Sequence, residues 1–178
     1  DFEQGGLASN FTGAIEEIEF VLWDYEGKQP KDSVFALRIK IQPTDGSNNG
    51  NAVEQHWSGG KATDFIPMDN GAKVGAIGSA DHMRLGSNIH QLLETMVAAG
   101  LKKDVLNGKD GIRSLVGTEA FWVRVPQKER QGLDAPEEGG RKRTVLVVTK
   151  ATFPWDKKGA RKTTTAATEA WKRVVIAN

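Results

Sequence analysis

Two neighbouring segments in which apolar and polar residues alternate constrain the fold of this chain more than any other feature of its sequence. The alternation runs through residues 14–25 and again through residues 33–42, and a period of two puts the apolar side chains on one face of each β-strand. Residues 26–32 contain a glycine and a proline and predict a turn. Two adjacent strands with a short connection predict an antiparallel hairpin. Its inward-facing residues are Ile18, Phe20, Leu22, Phe35, Leu37, Ile39 and Ile41.

The middle of the chain predicts a third strand and a helix. The strand covers residues 52–57 and is predicted to end at residues 58–60, which are Ser-Gly-Gly. Residues 61–86 predict a glycine-rich loop with one or two short strands. Apolar residues at helical spacing predict a helix over residues 87–99. Its apolar stripe is Ile89, Leu92, Leu93, Met96 and Val97, with Ser87 as the N-cap and Gly100 as the stop.

The last third of the chain predicts two strands joined by a long loop. After a polar connection over residues 101–114, strand character resumes at residues 115–125. Residues 127–141 have no apolar period and predict a long hairpin loop. Residues 143–152 carry apolar side chains on both faces and predict a central strand. In the strand of residues 115–125, the face predicted to point inward carries Phe121, Val123 and Val125, and the face predicted to point outward carries Ala120, Trp122 and Arg124.

This order of elements predicts a mainly β fold. Five strands, with one helix inserted before the fourth and a long loop between the fourth and fifth, are typical of a small Greek-key barrel. A β-sandwich with one decorating helix stays open as the alternative. We expect a flexible lead-in over residues 1–11 and a folded domain over residues 12–155. A basic C-terminal extension follows over residues 156–178, with a short strand or anchor at residues 171–176.

Several classes of protein find no support in the sequence. The chain contains no cysteine, which excludes disulfides and thiolate chemistry. His56, His82 and His90 lack the spacing of a metal site, and no glycine-rich phosphate loop or nucleophile motif is present. We therefore expect neither an enzyme nor a cofactor. No apolar run approaches the roughly 20 residues of a membrane span, and the first residues do not resemble a signal peptide, so we expect a cytoplasmic protein without a membrane partner.

Charge is unevenly distributed along the chain. Residues 1–64 carry 11 acidic and 5 basic side chains, whereas residues 139–178 carry 2 acidic and 10 basic ones. Such an asymmetry predicts a region that faces a polyanion. The alternative is a solvated basic end that only keeps the protein soluble.

Aromatic and basic residues alternate with other residues on the predicted strands, in a pattern that suits single-stranded nucleic acid. Bases stack on aromatic rings, at about 1–3 kcal/mol per base, while cations hold the phosphates. The competing interpretations are core packing for the tryptophans and an ordinary solvated face for the cations. The candidate stacking residues are Trp23, Tyr25, Trp57, Trp122 and Trp155. The candidate phosphate contacts are Arg38, Lys40, Lys61, Arg124, Arg141, Lys142, Arg143, Lys157 and Lys158.

Six short stretches also carry a resemblance to a known family. They are EFVLW at 19–23, FALRI at 35–39, WSGG at 57–60, NIHQLL at 88–93 with AGL at 99–101, and LVGT at 115–118. On these stretches the chain resembles the phage-encoded single-stranded DNA-binding proteins, whose domain is an OB-fold, a five-stranded Greek-key barrel. The resemblance spans residues 12–155. It implies an OB-like barrel that protects or organises single strands in phage DNA replication or recombination, in the cytoplasm of the host cell.

The chain departs from this family at residues 171–178. Many such proteins end in an acidic tail that recruits replication proteins, whereas these residues are apolar and basic. This departure leaves open whether replication proteins are partners of the chain. The sequence also leaves homo-oligomerisation open, and it does not distinguish DNA from RNA. A structural or protein-interaction β-domain, such as a component of a viral particle, is the alternative function. A nuclease would need clustered carboxylates for metal ions, and the pattern assembles none.

Overall fold

The structure, a computed structural model, describes residues 8–23, 34–61, 64–77, 87–127, 137–138 and 141–156. These residues form a mainly β fold with one α-helix. The elements are β1 (Phe11–Trp23), β2 (Val34–Pro43), β3 (Val53–Lys61), β4 (Phe65–Met68), β5 (Lys73–Ala76), α1 (Asn88–Ala98), β6 (Glu119–Pro126), β7 (Glu137–Glu138), β8 (Arg141–Lys142) and β9 (Thr144–Thr152). Short 3-10 helices lie at Ser47–Gly50, Asp69–Gly71, Lys103–Asn107, Gly111–Leu115 and Pro154–Asp156.

Five antiparallel strands form the principal sheet, in the order β3-β2-β1-β6-β9. Among the described residues no backbone ladder joins the two edge strands, β3 and β9, so the sheet is open. The strands β4 and β5 pair as a separate hairpin, and β7 pairs with β8. The prediction of a mainly β fold with one helix before the fourth principal strand is confirmed, as are two short strands between the third strand and the helix.

The opening hairpin has the predicted inward face. Ile18 lies opposite Ile39, and Phe20 lies opposite Leu37, and all four side chains are buried because they point into the core. Leu22 does not follow the pattern: its side chain is 46% exposed. It lies near the end of β1, where the core no longer covers it. The predicted turn at residues 26–32 lies outside the described residues.

The third strand continues through its glycines, so the prediction that it ends at residues 58–60 is wrong. In the pairing with β2, Ser58 lies opposite Ala36 and Gly60 lies opposite Phe35. The extra residue between them makes a β-bulge, and Gly60 adopts a φ of +138° there. Glycine tolerates that conformation because it has no Cβ. The glycines therefore bend the strand without ending it.

The helix is confirmed, with both of its predicted ends. The hydroxyl of Ser87 accepts a hydrogen bond from the backbone N–H of His90 at 3.1 Å, which caps the N-terminus. Gly100, just beyond the helix, has a φ of +118°. The apolar face of α1 packs against β9 and β3. The hydroxyl of Thr95 accepts a hydrogen bond from the backbone N–H of Val148 at 3.3 Å, so the helix shields the edge of β9.

The fourth principal strand begins later than predicted and has its faces reversed. Leu115 belongs to a 3-10 helix, and Gly117, with a φ of +94°, precedes the strand, which starts at Glu119. Ala120 and Trp122 point into the core, whereas the side chains on the opposite face are only half-buried. Alternation could not decide between the faces, because both of them are largely apolar.

The fifth principal strand is an edge strand, so the prediction that it is central is wrong. Its residues Val145–Val148 are all buried, as in a central strand, but the burial has another origin. The strand β9 packs against the core of the sheet, and α1 also packs against β9. A helix across an edge strand produces the same apolar pattern as a neighbouring strand would.

The predicted domain boundary at residue 12 lies within β1. Ala8 and Phe11 are buried in the core, so the lead-in predicted as flexible contributes to the fold from residue 8 onward. The extension beyond Asp156, with its predicted strand or anchor at residues 171–176, lies outside the described residues. None of the described helices is both long enough and apolar enough to span a bilayer.

Candidate nucleic-acid interface

Two of the five candidate stacking residues belong to the core. Trp57 is 1% exposed and Trp122 is 0% exposed, with 6.2 Å between their ring centroids. Each indole N–H donates to a backbone carbonyl: Trp57 Nε1 to the oxygen of Leu146 at 2.7 Å, and Trp122 Nε1 to the oxygen of Gly13 at 3.1 Å. The prediction that these rings stack with bases is wrong, because a base cannot contact a ring that is buried in the core.

Arg124 makes its hydrogen bonds within the fold. Its guanidinium donates to the backbone oxygen of Ala8 and to the side-chain oxygen of Gln55, both at 2.9 Å. Its backbone N–H donates to the hydroxyl of Ser9 at 3.0 Å. Burial lowers the pKa of Arg124. The side chain therefore fastens residues 8–9 and β3 to β6, and this placement gives no support to its prediction as a phosphate contact.

Trp23 and His56 form a flat aromatic pair on the outer face of the sheet. Their ring centroids are 4.3 Å apart and their planes differ by 7°. Trp23 comes from β1 and His56 from β3, so the rings meet across β2, where Ala36 has no exposed surface. Both ring-bearing residues are half-buried. We call this pair the platform. It is an arrangement on which a planar base can stack.

His56 is a site residue that the sequence pattern did not single out as an aromatic partner. The signal was available, because alternation in β3 puts His56 on the same face as Glu54 and opposite to Trp57. Burial lowers the pKa of His56, the nearby Arg38 lowers it further, and Glu54 opposes both. The net shift favours the neutral form of the imidazole.

The guanidinium of Arg38 is held by three carboxylates. Its Nη2 lies 2.7 Å from Glu17 and 2.9 Å from Glu19, and its Nη1 lies 3.1 Å from Glu54. The hydrogen bond from Arg38 lowers the pKa of Glu17, and the hydrogen bond to Glu17 is the main cause of the raised pKa of Arg38. Arg38, on β2, thus bridges to β1 through two glutamates and to β3 through the third.

Lys40 is paired in the same way, further along the same face. Its Nζ lies 3.2 Å from Glu16 and 3.8 Å from Glu17, and the hydrogen bond to Glu16 is the main cause of its raised pKa. We call Glu16, Glu17, Glu19 and Glu54 the acidic rim. Glu19 also pairs with Arg113, whose Nη2 lies 3.5 Å from it. The four carboxylates of the rim outnumber these three cations by one, which weakens the prediction that Arg38 and Lys40 bind phosphates.

A second pair of stacked rings lies at the end of β9. The centroids of Phe153 and Trp155 are 5.1 Å apart and their planes differ by 3°. Phe153 is buried and Trp155 is half-buried, so part of Trp155 remains accessible. Arg143, between β8 and β9, is exposed. The structure does not describe Tyr25, Lys157, Lys158 or His82, nor the side chains of Lys61, Arg141 and Lys142.

No grouping of three or more histidine, aspartate or glutamate side chains in the described part of the chain is arranged to hold a metal ion. Comparison of the chain with protein-family models, with curated proteins and with solved structures gives no match.

Proposed function

We propose that this chain binds single-stranded DNA without sequence preference, with the platform as the surface on which bases stack. The flat, half-buried pairing of Trp23 with His56 on the outer face of β1–β3 carries this proposal. Stacking is tolerant of sequence because every base has a π-face. Protecting or organising single strands in phage replication or recombination is the role that we propose for this binding.

We further propose that the scaffold is an OB-like barrel. Four antiparallel pairings in a row make β1, β3 and β9 run in the same direction. The order β3-β2-β1-β6-β9, with the helix before the fourth strand, is the order of an OB barrel opened between its third and fifth strands. The hydrogen bond from Trp57 Nε1 to the oxygen of Leu146, at 2.7 Å, joins these two edges without a backbone ladder between them, and it supports an OB-like arrangement of the open sheet.

The cations that we propose as phosphate contacts belong to other segments of the sequence than the glutamates of the acidic rim. They are the basic group Arg141, Lys142 and Arg143 before β9, and Lys157 and Lys158 after the last 3-10 helix. In this arrangement the bases lie on the platform while the backbone of the strand follows the basic segments. The concentration of positive charge in residues 139–178 supports this division.

Binding of labelled oligo-dT, followed by fluorescence anisotropy at several salt concentrations, tests the proposal. We expect binding at low salt that weakens as salt rises, with a slope of about 0.7 in log K per phosphate contact. Trp23→Ala removes the stacking surface and should weaken binding by about 1–3 kcal/mol. Trp23→Phe keeps a ring and should retain most of the affinity, and it serves as the matched control.

The fluorescence of the tryptophans gives a second measurement. Because Trp57 and Trp122 are buried, quenching by oligo-dT should come from the other three tryptophans, Trp23, Trp155 and Trp171. The part that comes from Trp23 should disappear in Trp23→Phe. Absence of binding at low salt would remove the proposal and would leave the structural or protein-interaction domain as the better hypothesis.

A further inference from the structure

The acidic rim lies beside the platform in the register of the sheet. Glu19, Arg38 and His56 lie opposite one another on β1, β2 and β3, and Glu17, Lys40 and Glu54 form the next row. Two residues along a strand span about 6.8 Å. A DNA single strand whose base stacks on the platform therefore passes within one Debye length of the rim carboxylates, which is about 10 Å at 0.1 M salt.

The rim carboxylates also bind the guanidinium of Arg38, which would otherwise be available to a phosphate. Each of the three guanidinium nitrogens of Arg38 donates to a different carboxylate: Nε to Glu19 at 3.0 Å, Nη1 to Glu54 at 3.1 Å and Nη2 to Glu17 at 2.7 Å. A phosphate that approached Arg38 would have to displace at least one of them. The rim carboxylates are 30–50% exposed, so their charge also reaches the solvent in front of the face.

Single-stranded and double-stranded DNA meet this surface differently. A single strand can turn an unpaired base toward the platform and keep its phosphates away from the rim. A duplex holds its bases inside and presents phosphates, with one negative charge per roughly 1.7 Å of axis. A duplex therefore gains no stacking contact on this face, and it brings a dense row of like charge against the carboxylates.

We propose that Glu17, Glu19 and Glu54 are specificity determinants: beside a flat aromatic pair, they hold Arg38 away from phosphates and repel double-stranded DNA, so that the face accepts unpaired bases only. This inference rests on the proposed single-strand binding. It assigns to the ion-paired face a selective role in addition to any contribution it makes to stability.

Measuring the affinities of wild type and Glu17→Gln/Glu54→Gln for oligo-dT and for a duplex of equal length tests the proposal. The glutamines keep the shape of the side chains and remove two charges, so that Glu19 is the remaining carboxylate of the three that hold Arg38. We expect duplex binding to tighten about tenfold, and its salt slope to rise by about 0.9 for each additional phosphate that is neutralised. Oligo-dT binding should change about threefold or less, so the preference for the single strand falls.

A matched variant, Asp104→Asn/Asp110→Asn, removes two exposed carboxylates from the connection after α1. It should raise both affinities slightly and leave the preference unchanged. The single change Glu54→Gln, at a side chain 50% exposed, gives a second reading if the double variant folds poorly, and it should shift the preference in the same direction. If wild type binds oligo-dT but the rim variant discriminates as well as wild type does, the rim proposal is overturned while single-strand binding stands. If wild type binds neither ligand at low salt, both proposals fall.

Discussion

Trp57 and Trp23 lie in the same sheet but differ in burial and in hydrogen bonding. Trp57 is buried and its Nε1 donates to the oxygen of Leu146, whereas Trp23 is half-buried on the outer face. Trp57→Phe leaves that carbonyl without its donor and leaves a gap in the core, which together should cost about 2–4 kcal/mol. Trp23→Phe should cost less than about 1 kcal/mol. Urea unfolding of both variants measures the difference, and equal losses would contradict the placement of Trp57.

Part of this difference could be predicted from the sequence. In β3, Trp57 shares its face with Val53, while Glu54 and His56 occupy the other, so polarity alone would have pointed Trp57 inward. Trp122 offers no such signal, since both faces of β6 are largely apolar. Its orientation is set by pairing with β1, whose Gly13 accepts the hydrogen bond of the Trp122 indole from 109 positions away along the chain. Local periodicity does not reach that far.

We expect the stability of the fold to depend on pH through His56. Burial is the main cause that lowers its pKa in the folded protein below the ordinary value of 6.5. At a pH between the lowered pKa of the folded protein and 6.5, the unfolded chain binds more protons than the folded one, so the free energy of unfolding rises with pH. The contribution is complete above pH 6.5 and is lost as the pH falls through the folded pKa. We expect the melting temperature of wild type to fall more between about pH 7.5 and about pH 5.5 than that of His56→Gln. Parallel curves would show that His56 is not the titrating group.

At the scale of elements, the hairpin β4–β5 is attached to the rest of the fold through backbone contacts that periodicity cannot reveal. The N–H of Ile112 donates to the oxygen of Ala72 at 2.8 Å. The guanidinium of Arg113 donates to the backbone oxygens of Asp69 and Asn70, which lie 44 and 43 positions away along the chain. The sequence pattern predicts short strands in this region but not their neighbours, because contacts over such distances leave no local signal.

Gly111 is the point at which this attachment is tightest. It has a φ of +54°, and a Cβ there would lie 2.2 Å from the backbone oxygen of Ala72. Gly111→Ala must therefore push the hairpin away, and we expect it to cost about 3 kcal/mol or more. Gly46→Ala is the matched control, because Gly46 has a φ of +85° with no atom within 4 Å of a Cβ, and it should cost about 1–2 kcal/mol from backbone strain alone. Similar losses in urea unfolding would show that the hairpin can move freely.

At the scale of the whole molecule, charge is divided between two regions. The face of β1–β3 holds the platform and the acidic rim, while the basic side chains concentrate in residues 139–178. A count of charges along the chain is enough to predict the basic region. The alternation within β2 also predicts that Arg38 and Lys40 belong to a basic surface. Carboxylates on the neighbouring strands β1 and β3 pair with both cations, so this surface is not basic. Only the register that brings the glutamates of the rim around Arg38 makes that face acidic.

This division predicts that cations of equal charge contribute unequally to binding. Replacing Lys157, Lys158 and Lys162 with glutamine should weaken oligo-dT binding and lower the salt slope by about 0.7 for each phosphate that is no longer neutralised. The same replacement of Lys102, Lys103 and Lys109 removes equal charge from the exposed connection after α1, and it should change affinity only through the net charge, with the slope almost unaltered. Anisotropy titrations from about 50 to about 300 mM salt compare the two slopes. Equal reductions in slope would mean that the chain attracts DNA through its overall charge, and that the basic segment after β9 guides no strand toward the platform.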